Sequence, residues 1–311
     1  MICTCTLNPS LDYYMECSKP LQSGVLNRSD LEYYEAGGKG INVSIVLNNL
    51  GIPSRAFGFI GGFTRDFYIR LLAKYEFIQP NFTYTNGHTR INLKLRANNE
   101  ATDVNAMGPV ITDEDMCNLA KKIDRLGEGD FLVVAGNTQA YLVDDVHVML
   151  QKAVENKVKV CLDTDPALTK DMLKEGVFLI KTTPGELSTM VDKEIVSEED
   201  IVSAAKQLVH EGAENVIVVV ANKEAVLACK QGIYGVTLSK PDSKAINTVG
   251  TGDSMVAGFL MDYLRSKDSV DSFRFGASCG AATAYSKSLA TRELIDNFYE
   301  ETKVERRGDL D

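Results

Sequence analysis

The sequence predicts an α/β protein: a mostly parallel sheet flanked by helices, with a small second sheet inserted into it. Short, nearly continuous apolar runs such as "DFLVVAG", "VKVCLDTD", "VFLIKTT" and "NVIVVVAN" are bounded by polar or glycine residues. Strands read this way when helices cover both faces of their sheet. Helical periodicities lie between the runs, and that alternation is the pattern of a parallel sheet. Two regions depart from it: "LDYYMECS" with "DLEYYEA", and "HTRINLKLRANNEATDVNAMG". Polar and apolar residues alternate there, the period of a half-exposed antiparallel sheet.

Taken in order, "ICTCTL" opens the chain as a strand and ends at "NPS". Lys39 to Leu50 carries Ile41, Ile45 and Leu47 at helical spacing, and Gly51 stops it. "SRAFGFIGG" is a strand entering a glycine turn, and "TRDFYIRLLAKY" is amphipathic. Thr112 with Asp115 resembles a capping box for a helix through Leu126. Further helices are expected over 141–156, 166–174 and 197–211, the last opened by Ser197 with Asp200. The tail "KVERRGDLD" is polar and expected to be loose. The inserted sheet is assigned to 11–35 and 87–107, leaving 1–10, 36–86 and 108–311 for the main unit. On its second segment Ile91, Leu93 and Leu95 share one face, and Arg90, Asn92, Lys94 and Arg96 the other. Such a sheet can cover an active site, pair with another subunit as a homodimer, or do both.

The 311 residues are 44% hydrophobic and 24% charged, an ordinary globular balance with room for a sizeable core. A net charge of −10 argues against nucleic acid or an anionic membrane as partner, since no global positive field exists. A local cluster of cations and N–H groups can still hold a small anion. Seven scattered cysteines without a C-x-x-C read as free core thiols of a reducing cytosol. Three isolated histidines form no zinc pattern and no triad. The first residues lack a signal peptide's basic and apolar regions, and no apolar run approaches the ~18 residues of a membrane span. The chain reads as cytoplasmic.

Two motifs carry chemistry. In "EAGGKGINVS", Gly37, Gly38 and Gly40 flank Lys39 ahead of a helix. Glycines admit a ligand close to the backbone, and a helix N-terminus favours anions. Asn42 can bond hydroxyls. The spacing is not that of a Walker A loop. In "NTVGTGDSMVAGFL", Gly250, Thr251 and Gly252 precede Asp253 and a helix whose buried face includes Met255, Phe259 and Tyr263. The N–H groups suit the equatorial oxygens of a transferring phosphoryl group. Asp253 is placed to accept a proton from an attacking hydroxyl, or to complement the helix dipole.

Together these motifs resemble the two signatures of the PfkB or ribokinase family of carbohydrate kinases. "TLNPSLD", "GGKGINVS", "GFIGGFT", "TRINLKL", "NTVGTGDSMVAGF" and "GASCGAAT" occur in the family's order along essentially the whole chain. The resemblance implies a ribokinase-like fold with a small β lid that often forms a dimer clasp. It implies that Asp12, Gly38, Lys39 and Asn42 bind the sugar. Arg90 and Lys94, with Arg28, would hold a phosphate already on it. It makes Gly250, Thr251 and Gly252 the anion hole and Asp253 the catalytic base. Lys181, Thr183, Glu186, Val220, Asn222 and Gly252 would face the nucleotide, with Glu186 linked indirectly to magnesium. The implied reaction is ATP- and Mg²⁺-dependent phosphorylation of a ketohexose monophosphate. "TRIN-K" and "SLAT" point to fructose 1-phosphate, which would give fructose 1,6-bisphosphate. The alternatives are tagatose 6-phosphate as substrate, or a sugar-phosphate-binding member with weakened catalysis. Three stretches depart from the family pattern. "KTTPGE" has Thr182 and Thr183 in place of Pro and Asn, and "AGNTQ" has Asn137 in place of Ser. In "VVVANKEAVLAC", Val219, Asn222, Lys223 and Glu224 replace a serine and a glycine-rich turn. Side chains there, and a carboxylate near phosphates, should weaken or reshape nucleotide binding.

Overall fold

A computed structural model describes the chain except residues 99, 221–223, 238–244 and 247–248. The described strands, in chain order, are β1 (Ile2–Thr6), β2 (Ser10–Cys17), β3 (Leu31–Gly37), β4 (Ser54–Gly61), β5 (Ile78–Pro80), β6 (Thr83–Thr85), β7 (Arg90–Ala97), β8 (Glu100–Val104), β9 (Phe131–Ala135), β10 (Lys159–Asp163), β11 (Val177–Thr182), β12 (Ala213–Val220), β13 (Glu224–Cys229), β14 (Gly232–Thr237) and β15 (Lys303–Gly308). The α-helices are α1 (Lys39–Asn49), α2 (Gly62–Leu72), α3 (Asp113–Ile123), α4 (Val143–Glu155), α5 (Pro166–Met172), α6 (Pro184–Val191), α7 (Glu198–Glu211), α8 (Thr251–Ser266), α9 (Ser269–Ala284) and α10 (Arg292–Glu301).

One large sheet runs β15-β14-β13-β12-β11-β10-β9-β1-β4-β5, with β6 also on β4. It is parallel from β5 to β12 and antiparallel from β12 to β15. Alternate residues of its central strands feed two cores. Leu132, Val134, Leu162 and Val218 pack on one face among side chains of α3 to α7. Phe131, Val133, Leu179 and Ile217 pack on the other among those of α1, α8, α9 and α10. This double burial explains the continuous apolar runs. Capping boxes open α3 at Thr112/Asp115 and α7 at Ser197/Asp200, as the sequence predicts; α3 ends at Ile123, three residues before Leu126.

The second sheet has the order β3-β2-β7-β8. Its register places Ser10, Asp12, Tyr14 and Glu16 beside Arg90, Asn92, Lys94 and Arg96. Here two expectations are corrected. The β2–β7 pair is parallel, although β2–β3 and β7–β8 are antiparallel. Alternation reports one wet face and is blind to strand direction. The tail is not loose either: β15 pairs with β14, Val304 opposite Val236, and forms the edge of the large sheet. A charged edge strand reads as a solvated tail because only one of its sides is paired. All seven cysteines are free, but Cys117 is exposed and Cys17 half-buried, so five rather than seven lie in the core. Among the described residues no helix is long and apolar enough to cross a membrane.

Candidate active site

The carboxyl ends of β1, β9 and β11, the starts of α1 and α8, and the polar face of the small sheet meet around a cleft of about 410 Å³. This is where an open parallel sheet gathers ligands. Asp12, Gly38, Lys39, Asn42, Arg90, Lys94, Lys181, Gly250, Thr251, Gly252 and Asp253 all line it, from separate parts of the sequence. Asn92 and Asn137 line it too.

Helix α8 begins after Gly250, whose φ of 77° is left-handed backbone. A Cβ at 250 would come within 2.4 Å of Leu289 Cδ2, and one at 252 within 2.7 Å of Lys181 Cε. Gly250 is therefore favoured by its backbone conformation as well as by space, whereas at 252 only the Lys181 side chain stands in the way. Asp253 follows on the first turn, 5% exposed. Its Oδ2 accepts a hydrogen bond from Asn42 Nδ2 at 2.8 Å. Burial, reinforced by the carboxylate of Asp163, pushes the Asp253 carboxyl up to about 7, against the Asn42 bond and the charges of Lys181 and Lys39. A base poised near neutrality suits proton transfer from a hydroxyl.

Asp163, at the end of β10 and only 2% exposed, is the residue the sequence reading missed. Its Oδ1 accepts from Lys39 Nζ at 2.9 Å and from Lys181 Nζ at 3.3 Å. One buried carboxylate thus holds both lysines beside the α8 N-terminus. Burial alone would lower the Lys39 ammonium. The charge and hydrogen bond of Asp163, then Asp253 and Glu186, outweigh it and leave Lys39 raised. An acid ending a predicted parallel strand, as in "VKVCLDTD", was the available signal.

On the small sheet, Asp12 Oδ1 accepts from Ser10 Oγ at 2.7 Å and from Asn92 Nδ2 at 3.0 Å. Arg90 donates through Nε to the Asn8 carbonyl at 3.2 Å and through Nη1 to the Ala106 carbonyl at 3.1 Å. Lys94 Nζ donates to Asp103 at 2.9 Å.

Other predicted residues lie outside this lining. Arg28 is exposed on the segment between β2 and β3. Val220 ends β12 and packs against the core. Asn222 falls outside the described residues. Thr183 and Glu186 open α6 as a capping box. Glu186 Oε2 accepts from the Thr183 N–H at 2.9 Å, Thr183 Oγ1 at 3.0 Å and Thr182 Oγ1 at 3.3 Å. The two threonines that depart from the family pattern are therefore the groups that orient this glutamate. Among the described residues no three acidic, histidine or cysteine side chains cluster to hold a metal. Mg²⁺ asks for less, usually one or two carboxylates with phosphate oxygens and water, and the cap bonds all fall on a single Glu186 oxygen.

A buried carboxylate beside a helix N-terminus and two lysines can serve the transfer of a phosphoryl group onto a hydroxyl. The class is that of a phosphotransferase with a sugar-type alcohol as acceptor. The model of the pfkB family carbohydrate kinases matches residues 6–294, and the chain belongs to that family. It is 38% identical over 307 residues to a 1-phosphofructokinase of Bacillus subtilis, covering 98% of this chain and 100% of that one. It is 33% identical over 298 residues to a D-tagatose-1-phosphate kinase of Bacillus licheniformis, covering 95% and 96%. Among solved structures, phosphofructokinase-2 from Escherichia coli, in complex with substrates and products, superposes with a TM-score of 0.89 at 25% identity, covering 96% and 98%.

Proposed function

We propose that the protein transfers the γ-phosphoryl group of ATP to O6 of fructose 1-phosphate, giving fructose 1,6-bisphosphate and ADP. The observation that carries this is Asp253, buried at the N-terminus of α8 with its carboxyl raised to about 7. As O6 bonds to the γ-phosphorus, the O6 proton passes to the Asp253 carboxylate and the bond to the β-phosphate oxygen breaks. The amides of 250–252 and the Lys39 and Lys181 ammonium groups balance the charge on the transferring oxygens. Asp12, Asn42 and Asn92 orient the sugar hydroxyls, with the glycine turn at Gly38 making room, and Arg90 and Lys94 take its phosphate. We assign Lys181, Thr183, Glu186, Val220 and Asn222 to the donor side, the last of them outside the described residues. Mg²⁺ would supply neutralisation of the donor's phosphates, and Glu186 would reach it through water. Closure of the small sheet excludes water that would otherwise hydrolyse the donor.

The tagatose-1-phosphate kinase relative favours D-tagatose 1-phosphate as the second candidate, in place of the tagatose 6-phosphate expected from the sequence. An intact base, cradle and lysine pair speak against a catalytically weakened binding protein. A coupled assay of ADP release with ATP decides. Turnover should be fastest with fructose 1-phosphate; the absence of release above background with ketohexose 1- and 6-phosphates would sink the proposal.

The face of the small sheet away from the cleft carries Tyr13, Met15, Ile91, Leu93, Leu95 and Val104 in register. We further propose that it pairs with the same face of a second copy.

A further inference from the structure

Asp103 sits on β8, the edge strand of the small sheet, directly opposite Lys94 on β7. Its Oδ2 accepts from Lys94 Nζ at 2.9 Å and its Oδ1 from Arg96 Nη1 at 2.8 Å. One carboxylate, one oxygen to each, serves both cations. Their settings differ. The Lys94 side chain is 10% exposed and lines the cleft, whereas Arg96 is 31% exposed and lines a neighbouring cavity of about 750 Å³. Asp103 itself is 38% exposed and lines neither.

We propose that Asp103 is a displaceable counter-ion that sets the lid's affinity for phosphate, a proposal that rests on reading the cleft as a sugar-phosphate site. A buried ammonium group needs a partner before any ligand arrives. Asp103 supplies it from the solvent edge. A phosphate on the sugar brings about two negative charges and several acceptor oxygens, and takes Lys94 from the single carboxylate. Arg96 then keeps Asp103 in place at the rim. Arg90 differs, because its hydrogen bonds go to the neutral carbonyls of Asn8 and Ala106 and none to a carboxylate that a phosphate would have to displace. The arrangement costs affinity for every anion. Only a ligand that also bonds Asp12 and Asn92 through hydroxyls recovers that loss, so inorganic phosphate is held off.

Calorimetric titration of the full chain tests this. Fructose 1-phosphate, inorganic phosphate and fructose would each be titrated into the wild type, Asp103→Asn, Lys94→Met and the double variant. Asp103→Asn should tighten both phosphates about threefold to tenfold and leave fructose unchanged. In the Lys94→Met background it should change neither phosphate. Weaker or equal phosphate binding in Asp103→Asn would overturn the proposal and make Asp103 a brace for Lys94. Asp103→Ser guards against an effect peculiar to the amide; if both variants lose the cooperative melt, Asp103 is structural and the proposal fails. Absence of turnover by the wild type would remove the kinase reading, while the inorganic phosphate titrations would still decide the role of Asp103.

Discussion

Asp253 is the proposed base, and its surroundings make opposing demands on its carboxyl. Burial and Asp163 favour its neutral form; Asn42, Lys181 and Lys39 favour the carboxylate that can accept a proton. Asp253→Asn should lower kcat by about 10³ or more while sugar-phosphate affinity in calorimetry stays within about twofold. A comparable loss of binding would assign Asp253 a structural role instead. The turnover rate of the wild type should climb with pH to a plateau above about 7, as the carboxylate forms. Asn42→Leu removes a hydrogen bond to the charged form, so that limb should move to higher pH by up to about one unit. An unmoved limb would show that Asn42 binds sugar without tuning the base. Stability has the opposite sign. The folded carboxyl is raised above its unfolded value, so its favourable contribution is present below pH ~4 and is lost as pH rises through about 7. Asp253→Asn should therefore be more stable than wild type at pH 8 in denaturant unfolding, and the gap should narrow at pH 5.

At the scale of elements, local chemistry was legible wherever one segment settles its own structure. The capping pairs of α3 and α7, the glycine before α8 and the buried parallel strands all announce themselves within a few residues. Relations across the chain did not. Asp163 gains meaning only because β10 ends against Lys39 of α1 and Lys181 of β11. Likewise β15 is a strand because β14 offers it an edge. The α6 start shows both levels at once. The structure shows "TTPGE" to be a capping box with Pro184 in the first turn, a local signal the sequence reading missed, but whether Glu186 also serves a metal depends on what lies beside it. Glu186→Gln keeps acceptor geometry for the cap while removing the charge. Its melting temperature should stay within a few degrees of wild type, and the Mg²⁺ needed for half-maximal rate should rise several-fold. An unchanged Mg²⁺ requirement would leave Glu186 as a cap alone. The clash at position 252 gives a second test. Gly252→Ala must push Lys181 aside from Asp163, so activity should fall far more than stability.

Over the whole molecule, two sheets divide the labour. The large one fixes Asp253, the 250–252 turn and the two lysines; the small one brings Asp12, Asn92 and Lys94 to the cleft and turns an apolar face outward. Near its base that face is covered, with Tyr34 meeting Phe67 of α2 edge-on. Farther out Ile91 is 40% and Val104 57% exposed. A four-stranded sheet with one wet apolar face is poorly stable alone, and a second copy laid across it would bury that surface. Because the opposite face of the same strands carries Asp12, Asn92 and Lys94, dimerisation would stiffen the groups proposed to hold the sugar phosphate. Leu93→Glu combined with Ile91→Glu should therefore act twice. Sedimentation velocity should show a dimer for wild type at micromolar concentration and a monomer for the double variant. The monomer should keep its cooperative melt, carried by the large sheet, but show a KM for the sugar phosphate raised about tenfold with a smaller change in kcat. A wild type that sediments as a monomer, or a monomeric variant with unaltered KM, would separate the outward face from the site behind it.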